Sequence, residues 1–251
     1  MTSEQKRLPI SYLSNKKDRD KAGDLFFPKT AIKEKKATIL KNKIILCVPN
    51  TLIYFFTTKL KSKFISIGAQ NCHHHNNYGP FTGSVSASML KNAGAKYIIL
   101  GHSENRSEGD TNKIIKKKIE SSLNQKLNII FCIGETFKEK IKGKTFSVLK
   151  NQIKGSIDKK YNINKIIIAY EPIWSIGTGK IPKVQELKNT FKFIKNEFKK
   201  NFKTKTFPVV LYGGSVNDSN IRLFSSISEI DGFLIGGASK SSKKFIDIIK
   251  N

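Results

Sequence analysis

Residues 166–180 read Ile166-Ile167-Ile168-Ala169-Tyr170-Glu171-Pro172-Ile173-Trp174-Ser175-Ile176-Gly177-Thr178-Gly179-Lys180. The apolar run at the start is typical of a buried strand, and the carboxylate of Glu171 comes where that strand ends. Pro172 stiffens the turn that follows, and the glycines at 177 and 179 allow tight backbone turns on the far side of the loop. The stretch therefore predicts a strand that delivers a base to the edge of a sheet, beneath a movable loop.

Similar apolar runs recur along the chain. They lie at 43–48, 64–68, 95–100, 127–131, 165–170, 207–212 and 230–235, and lysine-rich segments with helical spacing separate them. Strands that alternate with helices imply right-handed βαβ units and a parallel sheet. Residues 9–13 supply an eighth strand candidate, and eight strands close a barrel more naturally than they form an open sheet. We therefore expect an α/β fold, one (β/α)8 TIM-barrel domain over residues 1–251 with outer helices and an atypical segment 1–43.

The formal net charge of +27 would ordinarily suggest a nucleic acid or an anionic membrane as partner. Only four of the basic residues are arginines, Arg7, Arg19, Arg106 and Arg222, and the lysines are spread over every segment. Because arginine is preferred for bidentate phosphate recognition, this spread favours compositional bias over a designed patch. We expect no specific nucleic-acid partner, although the charge would attract anionic, phosphorylated small molecules.

The three cysteines, Cys47, Cys72 and Cys132, lie at or just beyond the ends of apolar runs and lack the spacing of a metal site. Reduced, mostly buried thiols are typical of a cytosolic protein. No apolar run approaches the length of a membrane span, and residues 1–6 do not lead into a signal-peptide core. These features predict a cytoplasmic protein without a membrane partner.

Polar and glycine residues collect directly after the predicted strands, where the active site of such a barrel lies. Besides Glu171, they include Asn15, Lys17, Gln70, Asn71, His102, Cys132, Gly213-Gly214-Ser215 and Gly236-Gly237. A carboxylate that enters a partly apolar pocket, with Ile173, Trp174 and Ile176 nearby in sequence, loses hydration and becomes a stronger base. His102 follows the strand Tyr97-Ile98-Ile99-Leu100, and a helix N-terminus after it would favour a neutral imidazole. A solvated loop glutamate and a packing histidine are the structural alternatives.

Two of these segments, Ala169 to Lys180 and Leu100-Gly101-His102-Ser103-Glu104, resemble the catalytic segments of the triosephosphate isomerase family. The resemblance runs from about Ile44 to Asn251. It implies a cofactor-free isomerase of glycolysis and gluconeogenesis that interconverts dihydroxyacetone phosphate and D-glyceraldehyde 3-phosphate through an enediolate. It also implies that Glu171 shuttles the proton between carbons, that His102 polarises the carbonyl, and that Glu104 is a supporting carboxylate.

The segment Asn15-Lys16-Lys17 is similar to the Asn-x-Lys that follows the first strand in this family. The resemblance implies that Asn15 and Lys17 bind substrate and that Lys17 neutralises the phosphate and the developing enediolate. The same spacing recurs at Asn201-Phe202-Lys203, so the motif itself is weakly specific. Family members usually read Gly-Asn-Trp-Lys-Met-Asn, whereas residues 14–19 lack the tryptophan and the methionine, and Asp18 offers a competing partner for Lys17.

Three backbone elements are expected to hold the substrate phosphate, because amide N–H groups suit a dianion and glycine permits close approach. They are Gly177 in the loop after Glu171, Ser215 after Leu211-Tyr212-Gly213-Gly214, and Gly236-Gly237 after Phe233-Leu234-Ile235. Each Gly-Gly alone is only a turn signal. Together they resemble the phosphate site that many barrels place after their last strands.

Residues 71–83 resemble the loop through which family members form homodimers, and Thr82 would reach into the partner's site. The three consecutive histidines 73–75 invite a metal hypothesis, but consecutive side chains diverge and no second ligand cluster is visible, so we expect no metal. Family members usually carry a glutamate and an arginine where this chain has Ser84 and Asn105. Their joint absence leaves no unpaired ion but loosens the expected interface.

Two other functions are compatible with parts of this pattern. Other phosphosugar barrels share the Gly-Gly phosphate grip, but they lack the Glu171 loop and the His102 segment. A catalytically impaired phosphate-binding or scaffold homologue with an altered first loop is the alternative from a different class. The position of Lys17 discriminates them, since an enzyme needs that ammonium in the mouth of the barrel.

Overall fold

The computed structural model describes residues 8–12, 43–60, 62–75, 79–202, 204 and 206–250, and at 8–12 it describes the backbone alone. The strands that follow are short, four to six residues in most cases, as parallel barrel strands connected by helices usually are. Asn15 and Lys17 lie outside the described residues.

Eight parallel strands form a closed barrel in which each strand pairs with its neighbours in chain order. They are β1 (Leu8–Tyr12), β2 (Ile44–Val48), β3 (Ile65–Ala69), β4 (Tyr97–Leu100), β5 (Asn128–Ile133), β6 (Ile166–Tyr170), β7 (Val210–Tyr212) and β8 (Gly232–Ile235). β1 pairs with β2 in the register Ile10 to Ile45 and with β8 in the register Leu8 to Gly232, which closes the ring. The predicted (β/α)8 barrel is confirmed.

In the described parts of the chain, helices connect the strands from β2 onward on the outside of the barrel. They are α1 (Ile53–Lys59), α2 (Ala87–Asn92), α3 (Ser103–Ser107), α4 (Asn112–Asn124), α5 (Phe137–Ile141), α6 (Thr145–Ser156), α7 (Val184–Phe202), α8 (Ile221–Ser225) and α9 (Ser242–Lys250). Short 3-10 helices lie at Asn50–Leu52, Ile163–Lys165, Ile173–Ser175 and Gly237–Lys240. Side-chain caps define where several helices begin. At α5 the Thr136 hydroxyl accepts a hydrogen bond from the Glu139 N–H, and the Glu139 carboxylate accepts one from the Thr136 N–H, which is a capping box.

Side chains alternate between two buried layers along each strand. In β5, Ile130 and Cys132 point into the barrel, whereas Ile129, Phe131 and Ile133 pack in the layer between strands and helices. The barrel interior also holds Ile45, Cys47, Tyr97, Ile99, Ile167, Ala169, Leu211 and Leu234. Strands that are buried on both faces read as continuous apolar runs, which is why the sequence revealed them.

The seventh strand begins later than its apolar run suggests. We predicted a strand from residue 207, but pairing with β6 begins at Val210, opposite Ile168. Pro208 has no N–H to give to a ladder, and the Phe207 side chain is exposed. The Asp231 carboxylate accepts the Val210 N–H at 2.8 Å and so fixes the start of β7. Within the described residues, no helix combines the length and the apolar composition needed to cross a bilayer.

Candidate functional site

Glu171 is the first residue after β6 and lies at the carboxyl end of the barrel. Its backbone N–H donates to Ile133 O at 2.8 Å, which prolongs the pairing between β5 and β6 and fixes the direction of the side chain. The residue is only 3% exposed. Its Oε2 atom is buried and has no hydrogen-bond partner among the described residues. A buried carboxylate oxygen without a donor is an unusual feature, and it marks this atom as a candidate proton acceptor.

His102 follows β4 and reaches the same point from two strands away. The imidazole is 4% exposed, and its Nε2 lies 3.4 Å from Glu171 Oε1. His102 also caps α3, because its Nδ1 accepts the backbone N–H of Glu104 at 3.3 Å. An Nδ1 atom that accepts a hydrogen bond carries no proton, so we infer that in the neutral ring the proton lies on Nε2, facing Glu171.

Opposing influences act on the charge of His102. Burial disfavours the imidazolium and lowers its pKa, whereas the charge and the hydrogen bond of Glu171, and more weakly the charge of Glu104, raise it. The net result is a pKa above the ordinary histidine value. The sequence predicted a helix N-terminus that favours a neutral ring, but it predicted neither the capping hydrogen bond nor that Glu171 would lie close enough to act in the opposite direction.

Cys132 lies between these two residues, on the inner face of β5. Burial, and next the adjacent Glu171 charge and hydrogen bond, hold the pKa of its thiol well above the ordinary value. The thiol is therefore a neutral neighbour of the carboxylate. Sequence reasoning listed Cys132 among the polar residues at strand ends but gave it no part in the site. The alternation of β5 was the signal that could have placed it inside.

Gly134 is a second residue that sequence reasoning missed. A Cβ atom at this position would lie 1.8 Å from the Glu171 carbonyl oxygen, so no larger residue fits without moving the backbone that carries Glu171. The Gln152 side chain holds Gly134 from α6, since it accepts the Gly134 N–H and donates to the Gly134 carbonyl, both at 2.9 Å. These contacts position Glu171 through its backbone.

Trp174, three residues after Glu171, binds a second buried carboxylate, that of Glu135. Its indole Nε1 donates to the buried carboxylate of Glu135 at 2.9 Å, and the Tyr170 hydroxyl lies 3.2 Å from the same carboxylate. The Lys140 ammonium lies 4.0 Å from the centre of a Trp174 ring, a cation–π contact. These contacts hold the indole of Trp174 within the 3-10 turn at Ile173–Ser175, which follows Glu171 and Pro172.

We call residues 172–182 the lid. Its middle, 177–180, is exposed, and Gly177 has a φ of +66°, a left-handed conformation that glycine adopts readily. The Thr178 hydroxyl donates to the Trp174 carbonyl at 3.0 Å, which folds the lid on itself. The lid begins directly after Glu171, at the carboxyl end of the barrel, and ends just before α7.

The expected phosphate-binding residues follow three successive strands. Gly177 lies in the lid after β6, Ser215 follows β7, and Gly236 and Gly237 follow β8, where a 3-10 helix starts at Gly237. Because β6, β7 and β8 are neighbours in the barrel, their loops adjoin one another. The Ser215 N–H is directed to the Ser175 hydroxyl at 3.4 Å.

The remaining predicted residues lie at the edge of the site or beyond the described parts of the chain. The Glu104 side chain is 65% exposed, with Oε2 3.9 Å from His102 Nδ1. Thr82 is exposed at the end of the 71–83 loop, of which 76–78 are outside the described residues. Asn15 and Lys17 are likewise outside, so their predicted roles stay predictions.

The histidines 73–75 stack on one another and on Phe81. The centroids of His73 and His75 are 5.1 Å apart, and that of His75 is 3.9 Å from Phe81. In the parts of the chain that the structure describes, no group of three or more histidine, cysteine, aspartate or glutamate side chains is arranged to hold a metal ion.

Comparison with known proteins gives one consistent result. The family model described as triosephosphate isomerase matches residues 15–251. The triosephosphate isomerase of Dictyoglomus thermophilum is 39% identical over 216 residues, which cover 84% of this chain and 86% of that protein. The triosephosphate isomerase of Bradyrhizobium diazoefficiens is 37% identical over 217 residues, which cover 84% of this chain and 84% of that protein. The crystal structure of triosephosphate isomerase from Bartonella henselae superposes with a TM-score of 0.81 at 30% identity, covering 97% of both chains.

Proposed function

Since this chain belongs to the triosephosphate isomerase family, we propose that its site interconverts dihydroxyacetone phosphate and D-glyceraldehyde 3-phosphate, with Glu171, His102 and Lys17 as the catalytic residues. One observation carries the assignment of the first two. Glu171 Oε1 and His102 Nε2 lie 3.4 Å apart, both buried, at the carboxyl end of a closed parallel barrel. A carboxylate and an N–H at this separation can contact two adjacent carbons of a small substrate and the oxygen attached to one of them.

The reaction needs only proton transfers. Glu171 removes a proton from the carbon next to the carbonyl, and the electron pair moves to the carbonyl oxygen, which becomes an enediolate oxygen. The Nε2–H of His102 donates a hydrogen bond to that oxygen and stabilises the charge that develops there. After a proton has moved between the two oxygens, Glu171 returns its proton to the neighbouring carbon. Atoms and charge balance without a redox step, so the proposal names no cofactor.

The charge of the His102 ring depends on whether Glu171 is ionised or protonated. While Glu171 is ionised, its charge favours the imidazolium; once Glu171 has taken the substrate proton, that influence ends. Burial and the Glu104 N–H at Nδ1 then favour the neutral ring. The neutral ring retains its donor at Nε2, so the stabilising hydrogen bond to the enediolate is available at the moment when the charge develops.

We assign the substrate phosphate to the backbone N–H groups of Gly177, Ser215 and Gly237, with Gly236 allowing close approach. Lys17 supplies the ammonium that neutralises phosphate and enediolate, and Asn15 binds beside it; both follow from the family resemblance of residues 15–17. Glu104 supports the site through its backbone N–H, which holds the His102 ring. When the lid covers the site, exclusion of water strengthens these interactions and protects the enediolate from losing its phosphate.

A coupled isomerase assay on the wild type, Glu171→Gln and Lys17→Ala tests this proposal. Loss of a group that stabilises developing charge costs about 100-fold or more in rate, and removal of the base costs at least as much. We expect both variants to lose about 100-fold or more in kcat/KM. Glu120→Gln is the matched control, because Glu120 pairs with Lys160 on the surface and should leave the rate unchanged.

Each other outcome has a definite meaning. A wild type that binds inorganic phosphate but isomerises neither triose phosphate would identify the scaffold alternative. An active wild type that tolerates both changes would show that Glu171 and Lys17 are wrongly assigned.

We further propose that the chain is a homodimer through the 71–83 loop, with Thr82 reaching the partner's site. The loop has a fixed base, since His73 N–H donates to Val85 O at 2.8 Å, and exposed residues at 79, 80, 82 and 83. An anchored loop with an exposed tip suits insertion into a second subunit. Sedimentation velocity over a range of concentrations tests the proposal, and a monomer at every concentration would contradict it.

We propose that the protein is cytoplasmic and that residues 1–251 form one domain. The cysteines Cys47, Cys72 and Cys132 are free and buried, which fits a reducing compartment. The domain proposal is supported by the ring of strands, because a barrel in which the first strand pairs with the last cannot be divided into two separate sheets.

A further inference from the structure

The Ser175 hydroxyl lies where the lid meets the loop after β7. Ser175 is fully buried, and its hydroxyl donates to the Lys180 carbonyl at 2.5 Å. This bond joins the first turn of the lid to its far end. The hydrogen bond therefore ties residues 175 and 180 of the lid together. The bonding side chain is buried, whereas the middle of the lid is exposed.

The number of hydrogen bonds that the Ser175 hydroxyl can donate and accept determines its role at its other two neighbours. A serine hydroxyl has one hydrogen and two lone pairs. Its hydrogen is used at Lys180, so at its other two neighbours it must accept: from the Ser215 N–H at 3.4 Å and from the Tyr212 hydroxyl at 3.4 Å. Burial raises the pKa of Tyr212 to about 12, so this phenol keeps the proton that it donates. Ser175 thus uses its full capacity: its hydrogen is donated within the lid at Lys180, and its lone pairs connect the lid with Tyr212 of β7 and with Ser215 in the loop after it.

The Ser215 N–H is also the group that the proposed function assigns to the substrate phosphate. One N–H makes one good hydrogen bond, and an anionic phosphate oxygen is a stronger acceptor than a neutral hydroxyl. A phosphate that takes this N–H must therefore displace Ser175 Oγ. The displaced hydroxyl belongs to the lid, so binding at the β7 loop acts directly on the lid.

We propose that Ser175 is a positioning residue whose hydroxyl competes with the substrate phosphate for the Ser215 N–H, and that this exchange couples phosphate binding to lid movement. The inference rests on the proposed function, since it takes from it the assignment of the Ser215 N–H to phosphate. Ser175 favours release of the phosphate, because its hydroxyl takes back the N–H when product leaves.

The variant Ser175→Ala removes the competitor and barely changes the volume. We expect it to bind inorganic phosphate about three- to tenfold more tightly by calorimetry, the range of one modest hydrogen bond. In the isomerase assay we expect KM to fall by a similar factor and kcat to fall as well, since product release slows. Trp174, the only tryptophan of the chain, lies beside Ser175, and its emission should change at correspondingly lower phosphate concentrations.

Thr178→Val is the matched control. The Thr178 hydroxyl also binds within the lid, at the Trp174 and Ser175 carbonyls, and no hydrogen bond among the described residues joins it to Ser215. Its loss loosens the lid without releasing the Ser215 N–H. We therefore expect no gain in phosphate affinity and no fall in KM for this variant.

Unchanged or weaker phosphate binding in folded Ser175→Ala would overturn the inference, and so would equal behaviour of the two variants. Circular dichroism checks folding, and if Ser175→Ala does not fold, Ser175→Cys, whose sulfur is a weak acceptor, should shift affinity in the same direction by less. Failure of the proposed function is a separate result: a wild type without isomerase activity would contradict that function, while tighter phosphate binding by Ser175→Ala would still support the exchange.

Discussion

At the scale of single residues, His102 is controlled by neighbours on opposite sides of its ring. The Glu171 carboxylate lies next to Nε2 and favours a positively charged ring. The Glu104 N–H donates a hydrogen bond to Nδ1, and Nδ1 can accept it only while it carries no proton. A histidine whose pKa is raised in the folded chain adds stability that is fully present at a pH below its pKa in the unfolded chain, about 6.5. That stability is lost as the pH rises through the pKa of the folded chain.

The variant Glu171→Gln should remove this pH-dependent part of the stability, because its amide is uncharged. We expect the free energy of unfolding of the wild type, relative to the variant, to increase as the pH falls from about 8.5 to about 5.5, by on the order of 1 kcal/mol. Urea denaturation of both proteins across this range measures the difference. Contributions from groups away from Glu171 cancel between the two proteins, so curves that stay parallel would show that Glu171 does not act on the His102 charge.

At the scale of secondary-structure elements, the start of β7 depends on a side chain from the turn before β8. Asp231 accepts the Val210 N–H, and its carboxylate pairs with Lys195 of α7 at 2.9 Å. The Asp231 N–H in turn donates to the Val210 carbonyl at 3.0 Å. One residue thus joins two strands and a helix at the end of the barrel remote from the site.

Asp231→Ala should destabilise the chain by about 1–3 kcal/mol, because the Val210 N–H loses its partner and Lys195 is left partly buried without its carboxylate. Asp231→Asn keeps an oxygen for Val210 and should cost less. Chemical denaturation of the two variants tests the order. Equal losses would mean that the Lys195 pair, and not the strand contact, carries the stability.

The sequence predicted the elements better than it predicted their contacts. Apolar runs located the strands because both strand faces are buried, and the error at β7 arose where Phe207 prolongs the run past a proline that cannot join the ladder. His102 and Glu171 could be predicted because strand ends in a barrel converge. Cys132 and Gly134 could not, since they matter through contacts with Glu171 that depend on the register between β5 and β6. The contact of Trp174 with Glu135 could not be predicted either, because adjacency in sequence does not say which side chain a ring will meet.

At the scale of the whole molecule, the proposed dimer lacks a charge pair that the family usually has. Ser84 and Asn105 stand at those two positions, and both are partly buried. A buried charge without its partner is costly, whereas a matched pair is tolerated. The effect of restoring the charges should therefore depend strongly on whether one or both are present.

The double variant Ser84→Glu with Asn105→Arg should form a tighter dimer than either single variant. We expect each single change to weaken the dimer and a coupling free energy of about 0.5–3 kcal/mol between the two changes. Sedimentation equilibrium of the four proteins gives the dissociation constants for this cycle. Additive effects would indicate that the two positions do not meet across the interface.

The ring of strands also sets the order in which the molecule can be completed. β1 pairs on one side with β2, close to it along the chain, and on the other with β8, near the opposite end. During synthesis β1 leaves the ribosome long before β8 exists, so the nascent chain carries an unpaired strand edge until β8 has been made. We therefore expect the seam between β1 and β8 to be among the last contacts of the barrel to form, and its open edge to favour aggregation until it closes.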